Sequence, residues 1–173
     1  MTKYQGSSIS NLACKGCGCL LLLMGIVVIG AIALPSFLAG PQDKTRTLEA
    51  KQYVSSMNRA QQALFIEKNT FGTSVDALGL GIKTETTNFK YSIRATKKAA
   101  FNYGVSNKKD LKSFVGGVFL VPAKNFEPNA AKEEITTTSI LCQADSPGII
   151  KPAEPTYENG KIACGKGTKE WPQ

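Results

Sequence analysis

The sequence has 173 residues, room for one domain and an appendage, with 21 basic and 13 acidic residues and a formal charge of +8. It contains no histidine, which excludes Ser-His-Asp triads and the usual histidine-built zinc hydrolase sites. The positive charge is spread, with short pairs at Lys97-Lys98 and Lys108-Lys109 but no polybasic run, so it reads first as a solvated basic surface.

Along the chain, Lys3 and Lys15 precede an apolar run from Leu20 to Ala39 that carries no charge. As a helix its 20 residues would reach about 30 Å, the thickness of a bilayer's hydrocarbon core. A transmembrane helix over 20–39 is therefore predicted, with residues 1–19 cytoplasmic and 40–173 forming an extracytoplasmic domain. A cleaved secretory signal is the main competitor. Ala31-Ile32-Ala33 has suitable small residues, but it lies inside the hydrophobic block and Pro35 follows almost at once. An acylated lipoprotein fits less well, because Cys14, Cys17 and Cys19 precede the run.

Positive residues flank both ends of this span, so charge alone orients it weakly. Cys142 and Cys164 break the tie, since a pair otherwise unexplained suits an oxidising compartment. The expected location is the plasma (inner) membrane, single-pass, with the N-terminus inside and the domain periplasmic or extracellular.

Beyond Gly40-Pro41, Ala50, Tyr53, Val54, Met57, Ala60, Leu64 and Phe65 recur at spacings of three and four and predict one face of a helix of about 22 residues. Lys51, Gln52, Ser55, Ser56, Asn58, Arg59, Gln61 and Gln62 form the expected polar face. Asn69 and Gly72 offer left-handed positions at which the helix can stop. The period then changes to two. Phe89–Ala95 and Ala100–Ser106 alternate as strands, with Lys97-Lys98 at the turn between them. Gly116–Val121 reads as a more buried strand ended by Pro122, and Thr136–Cys142 as a fourth. Residues 125–131 and 146–159 read as loops. The predicted class is α+β, one long helix against an antiparallel sheet of about four strands.

Two blocks carry a resemblance. The stretch Ala31–Leu38 (AIALPSFL) is followed by Glu49–Phe71 (EAKQYVSSMNRAQQALFIEKNTF). Together with the ending Cys142…Cys164-Gly165-Lys166-Gly167, this resembles type IV pilin-like proteins, in particular the pilin-like G and H group seen in cyanobacteria. The resemblance implies a pilin fold with a C-terminal disulfide loop. It also implies packing against other pilin-like subunits through the apolar helix, in a pilus or pseudopilus. Type IV prepilins are cleaved after a Gly in a Gly-Phe-Thr-Leu-Ile-Glu motif; here the matching place reads Lys15-Gly16-Cys17-Gly18-Cys19-Leu20. Gly16 or Gly18 is the candidate cleavage position, although neither Phe nor Met follows. No acidic residue occurs before Asp43, so the early Glu that pairs with a neighbouring subunit's amine in that family has no counterpart.

From the residues themselves, a Cys142–Cys164 disulfide would stabilise the fold by about 3 kcal/mol, two free thiols being the alternative. Cys14, Cys17 and Cys19 lack a fourth ligand and any His, an incomplete zinc site. Acylation or a plain membrane-edge role are their other readings. Leu78-Gly79-Leu80-Gly81 lacks the Lys and helix of a phosphate loop, and Glu133-Glu134 reads as a solvated pair. No catalytic set, cofactor or metal site is expected. The expected function is a membrane-anchored minor pilin or pseudopilin-like structural protein; the alternative is a stand-alone anchored binding domain that kept the fold. The expected partners are the lipid bilayer and other pilin-like subunits, with DNA capture by the basic surface a weaker option.

Overall fold

The computed structural model describes residues 42–171, with side chains from Lys44 onward. They form one compact unit. Helix α1 runs Gln42–Lys68, 27 residues rather than about 22, because its first two turns carry polar residues that the apolar periodicity does not register. It stops where expected. Asn69 takes a left-handed φ of 53°, and its N–H reaches back to the Phe65 carbonyl at 2.8 Å.

Four strands follow: β1 Phe89–Ala95, β2 Ala99–Ser106, β3 Phe114–Pro122 and β4 Ile135–Ala144. Three short ones close the chain: β5 Thr156–Glu158, β6 Lys161–Ala163 and β7 Thr168–Glu170. The order β1-β2-β3-β4-β7 makes an antiparallel sheet of five strands, and β5 pairs with β6 in a separate ribbon. The expectation of about four strands is corrected to five. The loop expected over 146–159 is corrected too, since β5 lies within it. Three-residue strands are too short to show an alternation of period two. Asn125, placed in a loop by the sequence, belongs to a short 3₁₀ turn at Ala123–Asn125.

Strict alternation along the sheet sends side chains to two buried layers. Phe89, Tyr91, Phe114 and Leu141 point to α1 and pack with Ala50, Val54 and Met57. Phe101, Tyr103, Val115, Phe119, Val121 and Cys142 point the other way, towards Tyr157, Ile162 and Cys164. The sheet is thus covered by the helix on one face and by the C-terminal segment on the other.

The helix buries a different stripe from the one its apolar residues suggest. Ala50, Val54, Met57, Asn58 and Gln61 are the residues at 5 % exposure or less, spaced i, i+4, i+7, i+8 and i+11. Asn58 and Gln61, read as polar-face residues, lie in the interface, whereas Ile66 is 81 % exposed. The hydrogen bonds below explain the exchange.

Candidate functional site

Two constructions shape the surface of this domain, one on each face of the sheet. On the helix face, Asn58 donates to the Ile140 carbonyl at 3.0 Å and accepts from Asn102 Nδ2 at 2.8 Å. Gln61 Nε2 lies 3.4 Å from Asn102 Oδ1 and donates to the Gly72 carbonyl at 2.9 Å, while Gln61 Oε1 accepts the Gly72 N–H at 2.8 Å. No buried side-chain nitrogen or oxygen among the described residues is left without a partner, so the amides avoid the cost of unpaired burial. Gly116 faces Asn58 so closely that a Cβ there would fall inside the amide group. Gly72, offered by the sequence as a left-handed stop, is not among the residues with positive φ; its role is to bring its backbone to Gln61.

Glu49 ties the same helix to the segment before β1. Its carboxylate accepts from the hydroxyls of Thr86 (2.6 Å) and Tyr91 (3.1 Å) and from Asn88 Nδ2 (3.0 Å). Burial, with the Glu49 charge beside it, pushes the Tyr91 hydroxyl above tyrosine's ordinary range.

On the opposite face, the structure joins Cys142 to Cys164 in the expected disulfide, with Cα atoms 5.7 Å apart and a sequence separation of 22. The segment it closes lies against β1, β2 and β3. Pro155 packs on Gly117, where a Cβ would sit 2.6 Å from the proline ring. Glu154 takes a bidentate ion pair from Arg94 and a hydrogen bond from the Tyr103 hydroxyl. The Lys151 ammonium sits 3.9 Å over the Tyr103 ring. Arg94, then Tyr103, hold the Glu154 carboxyl below its usual pKa, and burial raises that of Tyr103.

This geometry is that of a scaffold: a helix keyed to a sheet and a covalently closed loop keyed to its back. A family model described as type IV pilin-like G and H matches residues 48–165. The chain belongs to that family. It is a pilin-like structural protein, and the matched span takes in α1 from its second turn, β1 to β6 and both disulfide cysteines. No curated protein and no solved structure matches the chain.

Of the other sequence-predicted residues of this pilin-like chain, Gly16, Gly18, Cys14, Cys17, Cys19 and the Leu20–Ala39 run lie outside the described residues. No helix among the described residues is long and apolar enough to cross a membrane. Nor does any cluster of His, Cys, Asp or Glu among them suit a metal ion. Lys97 and Lys98 occupy the β1–β2 turn and are exposed. Gly79 and Gly81 take left-handed φ values of 66° and 64° around a 3₁₀ turn. Glu133 is exposed, and Glu134 accepts the Ala131 N–H at 3.2 Å.

Sequence reasoning missed one surface. Lys44, Thr47 and Leu48 at the start of α1, Lys112 before β3, Gln143 in β4 and Trp171 line a groove of about 540 Å³. Trp171 is seated by its backbone N–H on the Leu141 carbonyl at 2.9 Å, by its ring against Phe114, and by Lys51 5.7 Å from the ring centre. The available signal was the sole tryptophan of the chain.

Proposed function

We propose that this chain is a membrane-anchored minor pilin or pseudopilin-like subunit, whose domain is displayed outside the plasma membrane on the Leu20–Ala39 helix. The family match over residues 48–165 carries the reading. The apolar run ending three residues before α1 supports it, because a continuous or nearly continuous helix is what such subunits pack with. The disulfide supports an oxidising compartment for the domain. The function is structural: recognition through surfaces and helix packing rather than catalysis.

A second reading is favoured by a specific observation. With no acidic residue before Asp43, nothing in the apolar segment supplies the charge that would be tolerated in lipid only because a partner awaits it. On this reading the domain remains a single anchored unit outside any filament.

Mass spectrometry of the native N-terminus from purified membranes separates the two. A chain beginning at Cys17 or Cys19 with a methylated amine supports the pilin subunit. An intact N-terminus counts against filament entry and leaves the stand-alone domain. DNA capture is tested alongside: a basic phosphate-binding face predicts duplex affinity that falls steeply with salt, and absent or salt-insensitive binding rejects it.

A further inference from the structure

The end of the domain at which α1 begins combines apolar exposure with positive charge in a way the scaffold does not require. Leu48 is 46 % exposed beside Trp171 in the groove, and Lys44 and Lys112 stand on its rim. Lys112 belongs to the β2–β3 connection, which also carries Lys108 and Lys109 against a single acid, Asp110. That acid is engaged by Arg46 at 3.5 Å.

The disulfide-closed segment brings a second apolar element to the same end. Gly148 donates its N–H to the Leu111 carbonyl at 3.0 Å, and Ser113 Oγ lies 3.5 Å from the Gly148 carbonyl. The next two residues, Ile149 and Ile150, are 57 % and 69 % exposed. Nothing within the described domain covers them.

We infer that this end is a docking face for an anionic phospholipid surface: Trp171, Leu48, Ile149 and Ile150 enter the interfacial layer while Lys44, Lys108, Lys109 and Lys112 meet headgroup phosphates. The inference rests on the membrane-anchored reading above. Two observations commit it to lipid. Gln42 is the third residue after the apolar run ending at Ala39, so an anchored chain holds this end of α1 beside the bilayer. Its composition also matches that layer, where tryptophan rings lie at headgroup level and lysine stems lie along apolar surface with their ammonium groups in the polar zone. Anionic headgroups attract each basic residue near the surface, and salt weakens that attraction within a Debye length.

The single tryptophan makes the contact measurable in the full chain. The chain is reconstituted into vesicles of phosphatidylcholine alone or mixed with phosphatidylglycerol, and flotation reads anchoring. Quenching of Trp171 emission is then compared for lipid brominated near the headgroup and for aqueous iodide. Docking predicts a blue-shifted emission quenched by the lipid only in the anionic vesicles. Raising the salt reverses it, and Lys44→Glu or Lys112→Glu weakens the lipid contact about fivefold each. The salt arm needs no substitution, so a misfolded variant does not spoil the test.

A chain that floats while Trp171 stays open to iodide in both vesicle types overturns the docking face and leaves anchoring intact. Shielding from both quenchers overturns it as well, by showing a protein covering: a second copy or the chain's own preceding segment. A chain that does not float overturns anchoring and docking together.

Discussion

The two faces of the sheet are held by opposite means. The helix face is non-covalent and directional: Asn58, Asn102 and Gln61 form a chain of amides ending on the Gly72 backbone. The loop face is covalent and ionic, with the Cys142–Cys164 bridge and the Arg94–Glu154 pair holding a segment that contains little regular structure. The difference follows from what each covering element can offer. A 27-residue helix satisfies its own backbone and can spend side chains on register. An irregular segment buries too little apolar surface to offset its ordering entropy, and so needs a cross-link. Side-chain hydrogen bonds therefore choose where α1 sits, while the disulfide decides whether the C-terminal segment stays.

Gly116→Ala is the sharpest way to break the helix face. Its methyl would occupy the Asn58 amide, so the helix must rise or Asn58 must leave Ile140 and Asn102. Overpacking together with unpaired buried amides predicts a loss of about 4 kcal/mol in denaturant unfolding. Asn58→Ala in the same chain vacates the space, and part of that loss should return. If the double variant is no better than the sum of the singles, the glycine is not there for the amide.

Replacing Cys142 and Cys164 together by Ala should cost about 3 kcal/mol, the entropy released when the closed loop opens in the unfolded chain. The comparison of faces adds a spatial expectation. Limited proteolysis should cut between Asp145 and Ala163 well before it cuts α1. Simultaneous cleavage of both would show that the two faces form one cooperative unit.

Gln61→Leu keeps the helix and its volume but deprives the Gly72 backbone and Asn102 Oδ1 of their partner. The expected loss is about 2 kcal/mol, the cost of buried groups left unpaired, read as a lower denaturation midpoint with an unchanged slope. A neutral outcome would show that the amide chain is dispensable to register.

Much of this architecture was legible in the residues, and each failure has its own physical cause. Strands β1 and β2 announced themselves by alternation over seven residues each, β3 by a short apolar run ended by Pro122, and β4 by its β-branched residues. The Asn69 stop and the cysteine pair were equally plain. Asn58 and Gln61 were misplaced because periodicity counts apolarity, and a satisfied amide buries as well as a leucine without looking like one. In β3, Gly116 and Gly117 read merely as part of an apolar run, yet each marks the near approach of a different covering element, Asn58 on one side and Pro155 on the other. Strands β5 and β6 form a hairpin closed by Asn159-Gly160, both at positive φ, a local turn signal hidden inside a stretch that reads as loop. Strand β7 and the groove of Lys44, Lys112 and Trp171 depend on contacts between positions far apart in sequence, which no local pattern encodes. The disulfide itself could be read; the surface that its loop helps to build could not.

The smallest expected effect belongs to the ionic tie of the loop face. Arg94 and Tyr103 lower the Glu154 carboxyl below its ordinary value near 4.5, so this group's stabilisation is complete above that pH. It is lost as the pH falls through the lowered folded value, since protonation then takes away the acceptor that both partners use. The side chains of Arg94 and Glu154 remain 47 % and 31 % exposed, and solvent screening keeps the contribution below about 1 kcal/mol. Unfolding midpoints measured from neutral pH down to about pH 3 should fall more for the native chain than for Glu154→Gln, whose amide does not titrate. If both fall equally, acid sensitivity arises elsewhere, and the bridge with Pro155 on Gly117 holds the loop without help from charge. If the native chain falls further, the ionic pair fixes the loop's position and the disulfide only limits how far it can stray.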